Sequence, residues 1–262
     1  MNLYKVLSVV FCGSLLMAFA ELSLAERIRI LAPDLPGTFE EGGFGRDAET
    51  VREVLAHCGH DAEFVIQPFG RHIVTYRNSD RADAVMTVPL GMQLSGHSTA
   101  AYIWYQNGAV YDANRISRIS GLADLWGLDV VTFKDGIRLL ELEDYRSRFR
   151  TLSEIANQRI HSHLLFLGRV DAVLADGLIV AEVNRRLLTS ESGVAEHSQL
   201  PKVRFAPIFH PSPYKMVFRK PPLAAEFDKC YDEAYAAGVV SEIDEKYIGR
   251  YQAELGYRYL GF

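Results

Sequence analysis

Asp176 closes the apolar run Ala172-Val173-Leu174-Ala175, and a carboxylate at the end of a buried strand can hold a cationic group of a ligand. The same residue type caps helices, and a helix is expected over Leu178–Leu188, so capping is a rival role. Phe69, following Pro68, can stack on a small molecule or cover it, or serve as a core aromatic. Arg71 is the nearest basic residue able to grip an anion. Asp34 follows the first expected strand, as ligand contact or turn former, and Thr87 offers a hydroxyl near the end of the third. In Lys134-Asp135-Gly136, the backbone N–H groups around Gly136 precede a helix and can take an anion or simply form a turn. None of these residues combines into a nucleophile with its base, so no catalytic constellation is read. His57-Cys58-Gly59-His60-Asp61 has metal-ligating residue types, but Gly59 ends a helix and the flanking side chains diverge. His161 and His163 point to opposite sides of a helix. No metal and no cofactor is expected.

The elements that must position these residues are legible as a near-repeat. Arg81-Ala82-Asp83-Ala84-Val85 and Arg169-Val170-Asp171-Ala172-Val173 lie 88 positions apart, each after a helix-like stretch and each opening a short apolar strand. Two β-α-β units at this separation predict two α/β lobes facing each other across a cleft, where ligands of open α/β sheets sit. Strands are expected at Ile28–Leu31, Ala62–Gln67, Ala82–Val88, Asp129–Phe133, Arg204–Ile208 and Lys215–Arg219. Asp47 is expected to cap a helix with Ala48, Val51, Leu55 and Cys58 on one face. Trp104–Tyr111 carries the chain into the second lobe. Ile137–Tyr145 starts a helix, and Ser153 caps another that ends at Gly168. Thr189–Pro201 reads as a surface excursion, and Pro222 opens a last long helix.

The chain has 262 residues, 48% of them hydrophobic and 23% charged, which is a globular composition. A net charge of -5 excludes a basic nucleic-acid-binding face. Lys5 precedes an uncharged stretch from Val6 to Ala20, and Ser23-Leu24-Ala25 has the small residues of a cleavage site. Fifteen residues are too few for a membrane span of about 20. Residues 1–25 are therefore read as a signal peptide cleaved near Ala25, and the protein as exported and periplasmic. Cys58 and Cys230 remain afterwards, and an oxidising compartment permits a disulfide between them.

The order of elements from Ile28 to Tyr247 resembles the family-three periplasmic solute-binding proteins, the amino-acid type that serves ABC importers. The resemblance rests on Gly45-Arg46-Asp47-Ala48-Glu49, where the family has Gly-Phe-Asp-x-Asp, and on Pro68-Phe69 and Gly168–Asp176. It rests also on Ala236-Ala237-Gly238 followed by Ile243 and Lys246-Tyr247. It implies an α/β fold of two Rossmann-like lobes joined by two hinge crossovers, the type II periplasmic-binding-protein architecture. It also implies an aromatic platform at Phe69 and an aspartate, Asp176, for a ligand's α-ammonium. The family's carboxylate-gripping arginine is missing: Pro89-Leu90-Gly91-Met92-Gln93-Leu94-Ser95-Gly96-His97 contains none. The ligand class thereby widens from amino acids to small polar solutes. The expected division is 26–105 and 210–262 for the first lobe and 106–209 for the second, with hinges near Tyr105–Gly108 and Phe205–His210. The expected partners are a small-molecule ligand and an ABC permease, with the protein itself monomeric. A dehydratase-like enzyme and a sensor docking on a membrane receptor use the same fold and are the alternatives.

Overall fold

A computed structural model describes residues 26–189, 201–251 and 259–261, so the expected leader and most of the surface excursion lie outside the described residues. In chain order, β1 (Arg27–Asp34), α1 (Arg46–His57), β2 (Asp61–Pro68), α2 (Arg71–Asn78), β3 (Ala84–Pro89) and β4 (His97–Tyr105) come first. Then follow β5 (Asn107–Asp112), β6 (Asp129–Thr132), the single turn α3 (Gly136–Leu139), β7 (Thr151–Glu154), α4 (Arg159–Phe166), β8 (Ala172–Asp176) and α5 (Gly177–Thr189). The chain closes with β9 (Val203–Ala206), β10 (Ser212–Phe218), α6 (Pro221–Ala236) and α7 (Val239–Ile248).

These strands make two five-stranded sheets, ordered β2-β1-β3-β10-β4 and β7-β6-β8-β5-β9. β3 and β8 are the near-repeated strands of the sequence, and each is buried along almost its whole length, as central strands covered on both faces must be. β1, β2 and β3 run parallel, as do β6, β7 and β8. β10 and β5 enter their sheets antiparallel. The fold is thus two α/β lobes joined by crossovers.

The chain passes between sheets with little slack. Gln106 alone separates β4 from β5, and residues 207–211 separate β9 from β10. The expected continuous run Trp104–Tyr111 is therefore cut into two strands belonging to different sheets. A Cβ on Gly108 would lie 2.2 Å from the Ala206 carbonyl oxygen, so glycine is what lets β5 and β9 approach beside the crossovers.

α1 buries Ala48, Val51, Val54 and Leu55, a helical stripe against the first sheet. It stops at Gly59, which holds φ +80° while the His60 N–H bonds back to Leu55. Its start differs from the sequence reading. Gly45, with φ +118°, precedes the helix, and a Cβ there would meet the Thr38 carbonyl at 2.5 Å. Asp47 lies inside the first turn, fully buried, and accepts a hydrogen bond from the Tyr105 hydroxyl instead of capping.

Two further expectations change. Ser153 sits in β7, an edge strand paired parallel to β6, and the helix after it begins only at Arg159. Pairing with β6 outweighs a weak helical pattern there. The expected helix Ile137–Tyr145 reduces to α3 and a separate 3₁₀ segment over Glu143–Arg148, with Glu141 in a left-handed conformation between them. At the C-terminus, Ile248, Tyr251 and Tyr259 join the second lobe's core with Val173 and Leu178. The chain's end therefore does not stay with the first sheet as a boundary at 210–262 implied.

Cys58, just after α1, and Cys230, inside α6, are bonded with a Cα separation of 5.8 Å and close a loop of 172 residues. Cross-links over long loops restrict the unfolded chain most, and native ones contribute about 2–5 kcal/mol. Urea unfolding of the Cys58→Ser/Cys230→Ser variant is expected to show that loss. Equal stability of the variant and the oxidised wild type would show that the bond does not constrain the chain.

Candidate functional site

The strand ends of both sheets converge on one small cavity of about 20 Å³, room for about one water molecule with the lobes in this arrangement. The first lobe supplies Leu35, Phe69, Thr87, Tyr105 and Tyr214. The second supplies Asn107, Phe133, Gln158, Asp176 and Ile179. Leu35, Phe69, Phe133 and Asp176 each stand at or just beyond the carboxyl end of β1, β2, β6 and β8, where the topology of open α/β sheets places ligands.

Phe69 meets Phe133 edge to face across the cleft, with ring centroids 6.0 Å apart. Thr87 is fully buried at φ +53°, a costly conformation for a β-branched residue, and its hydroxyl lies 3.5 Å from that of Tyr102. Asp176 is only 3% exposed. Oδ1 accepts the Ile179 N–H at 3.1 Å, a helix-capping bond, and Oδ2 accepts the Tyr259 hydroxyl. Burial pushes its pKa up to about 6, only partly offset by Arg46 and these hydrogen bonds.

Three expected site residues stand elsewhere. Asp34 turns away to form a two-pronged ion pair with Arg159 of the other lobe, at 2.8 and 2.9 Å. Arg71 is exposed on α2 and is not part of the cavity wall. Gly136 is buried against Thr132, and Glu154 already accepts the N–H groups of Asp135 and Ile137, so the chain's own carboxylate fills the anion position of that turn.

The cleft is held shut from both sides. Besides Asp34–Arg159, Glu40 of the first lobe pairs with Arg186 of α5 at 2.7 Å, and Ile179 of α5 packs into the first lobe's core. Such half-exposed pairs contribute little individually, about 0–1 kcal/mol. They fix which surfaces meet.

Behind the cavity lies a buried charge cluster that sequence reading missed. Arg46 is fully buried; its Nε donates to Asp47 Oδ1 at 3.2 Å and its Nη2 to the Trp104 carbonyl at 3.0 Å. Its guanidinium lies 5.3 Å from the Tyr105 ring centroid and 5.9 Å from that of Tyr259. Tyr259 in turn reaches Asp176, and the Gln106 N–H bonds to the Tyr259 hydroxyl. The one signal in the sequence was an arginine standing where the resembled pattern has an aromatic. Asn107, Gln158 and Tyr214 were missed too. Asn107 was hidden inside the hinge, and Gln158 carries no motif.

Among the described residues no three or more His, Cys, Asp or Glu side chains gather in a metal-binding group. His57 instead approaches Glu233 at 3.2 Å, and Cys58 is the disulfide partner. No helix among the described residues is long and apolar enough to cross a membrane.

No protein-family profile matches the chain, and no curated protein sequence matches it. Solved structures do. An ancestral arginine-binding protein bound to arginine superposes with a TM-score of 0.67 at 20% identity, covering 86% of this chain and 99% of that one. The probable amino-acid ABC transporter extracellular-binding protein ytmK from Bacillus subtilis gives 0.67 at 19%, covering 86% and 98%. A histidine kinase sensor domain with similarity to periplasmic binding proteins gives 0.67 at 17%, covering 86% and 97%. The chain has the two-lobed fold of these proteins.

Asp176 makes the site pH-sensitive. With a folded pKa of about 6, raised from 3.8, the native state holds this proton more tightly than the unfolded chain does. Stability therefore falls as pH rises from about 4 to 6, by on the order of 2–3 kcal/mol, and stays lower above that window. Asp176→Asn should remove this component, so the variant's stability relative to wild type rises over that window in urea titrations. A pH-independent difference between the two would show Asp176 to be an ordinary carboxylate.

Proposed function

We propose that the protein is an exported binding protein that captures a small polar solute between its lobes and presents it to the permease of an ABC importer. The observation that carries this is Gln158 Oε1: buried, without a hydrogen-bond partner among the described residues, in the wall of a cavity lined by both lobes. An unpaired buried acceptor costs about 1–3 kcal/mol, a cost that a donor on a bound solute would remove. Asn107, Thr87 and Tyr214 add polar groups around it, and Phe69, Phe133, Leu35 and Ile179 supply the apolar walls that such sites use. The structural neighbours named for amino-acid binding support the reading, as does the sequence resemblance.

The ligand is a small, mostly uncharged polar molecule, or an amino-acid-like one whose ammonium approaches Asp176. Among the described residues no guanidinium lines the cavity to receive a carboxylate. Capture proceeds by hinge bending at Gln106 and at residues 207–211, with the surfaces around Asp34–Arg159 and Glu40–Arg186 parting and meeting again. A single chain holds all the cleft residues, so a monomer suffices, and the leader over residues 1–25 would deliver it to the periplasm. A sensor role shares the capture step and differs only in the partner. The histidine kinase sensor domain among the neighbours is the observation that keeps this second reading.

Native mass spectrometry of protein purified from the cell envelope should show a carried-over solute below a few hundred daltons. With that solute in hand, Gln158→Leu should fold at least as stably as wild type, because it removes an unpaired acceptor, yet bind about five- to thirtyfold more weakly in calorimetry. Protein that carries no solute and is stabilised by none of a panel of amino acids, small amides and polyols would refute the reading. Uptake assays in a strain lacking the gene separate importer from sensor.

A further inference from the structure

A second and larger cavity, of about 430 Å³, opens where α1, α6, α7, the end of β4 and Leu260 meet. It shares no wall residue with the cleft between the lobes. Its walls are aromatic. Tyr231 and Tyr235, one turn apart on α6, stack with centroids 6.4 Å apart and planes 21° from parallel, and Phe227 continues the ladder inward from Tyr231 at 6.4 Å and 22°. Tyr235 is 59% exposed and Trp104, across the opening on β4, is 39% exposed. Large aromatic surface left open beside a cavity is ready to cover something.

The other side of the cavity carries Asp244 of α7. Among the described residues its carboxylate has neither a hydrogen bond nor an ion pair within 4 Å, and burial raises its pKa above the ordinary carboxylate value. Arg46, the cation that offsets this, also borders the cavity, but its guanidinium is paired with Asp47, donates to the Trp104 carbonyl and lies over the Tyr105 and Tyr259 rings, so Asp47 balances its charge and Asp244 carries the charge left over. Asp47 adds a second negative charge that works against Asp244's ionised form. The cavity thus combines the negative faces of several rings with a carboxylate that lacks its own cation. Rings and a carboxylate around one space are the chemistry that holds alkylammonium and quaternary ammonium groups, whose charge is spread over apolar surface. A neutral apolar ligand would leave Asp244 facing hydrocarbon, and an anion would be repelled by it.

We propose that this cavity, formed by Trp104, Tyr231, Tyr235 and Asp244, is a second ligand site, and that it takes an organic cation. It rests on different residues from the cleft, so either site can fail without the other. Trp104 also supplies the reporter. The sequence contains two tryptophans, and Trp126→Phe leaves Trp104 as the sole source of indole fluorescence. In that background, tetramethylammonium chloride is titrated against sodium chloride of equal ionic strength. The expected result is a saturable change in Trp104 emission with the ammonium salt only, with half-saturation in the millimolar range. Asp244→Asn, nearly the same shape without the charge, should raise the half-saturation concentration about tenfold or more, and Tyr235→Ala about fivefold. Asn107→Ala, in the cleft, should leave it unchanged, which keeps this result separate from the solute-capture test. If Asp244→Asn does not fold, Tyr235→Ala decides. Emission that responds equally to both salts, or a half-saturation that the decisive variant does not move, overturns the proposal.

Discussion

A single buried guanidinium, that of Arg46, organises the junction between the lobes. An arginine stays charged in any surroundings a protein offers, so burying it completely requires partners on every side. Asp47 supplies the countercharge, Trp104 a carbonyl, and Tyr105 and Tyr259 their ring faces. Each partner belongs to a segment that would otherwise be free to choose its position: the start of α1, the end of β4, and the C-terminal residues that cross to the second lobe. Removing one charge of such a pair while leaving the other buried is among the costlier single changes a protein can suffer, at about 3–5 kcal/mol. The same cluster reaches the cleft through the Tyr259 hydroxyl on Asp176. The polarity of the cavity floor is therefore set partly from behind, by Arg46, Asp47 and Tyr259, which are not part of its wall.

This arrangement explains why Asp176 does not look like a simple ammonium anchor. Both of its oxygens are taken, one by the helix that follows and one by Tyr259, and its pKa has risen because the surroundings are drier than a rim position would be. A carboxylate in that state can still accept a further hydrogen bond at either oxygen. The edge-to-face pair Phe69–Phe133 lines the same cavity as Asp176.

The parts of the fold carried by periodic, self-contained segments were legible in the sequence. β3 and β8 are unbroken apolar runs, and α1 shows its stripe, so both lobes could be inferred before any coordinates. What escaped depends on partners distant in the chain. Thr151–Glu154 becomes a strand only because β6 lies beside it, 22 residues earlier. Asp34 looked like a ligand residue because it follows β1, but its partner Arg159 is 125 residues away and no local pattern announces the pair. Gly136 offered an anion position that Glu154 fills from the next strand. Arg46 carried a readable oddity in a position where the resembled pattern is aromatic. The meaning of that oddity, a charge sealed between two tyrosines, appears only when α1, β4 and the C-terminal residues are brought together.

The strand order of the first sheet has a consequence for how the chain acquires its shape. β4 joins that sheet only through β10, and β10 is separated from β3 by the entire second lobe. A nascent chain that has emerged as far as Tyr105 therefore holds an incomplete sheet with two unpaired strand edges facing each other. The second sheet, by contrast, is built from one contiguous stretch, Asn107 to Ala206, with its core completed later by Ile248, Tyr251 and Tyr259. The first sheet, begun earliest, closes only after residues 212–218 pair between β3 and β4. Pairings that close so long a loop are slow. That delay leaves the facing edges of β3 and β4 open until the last strand of the sheet is made.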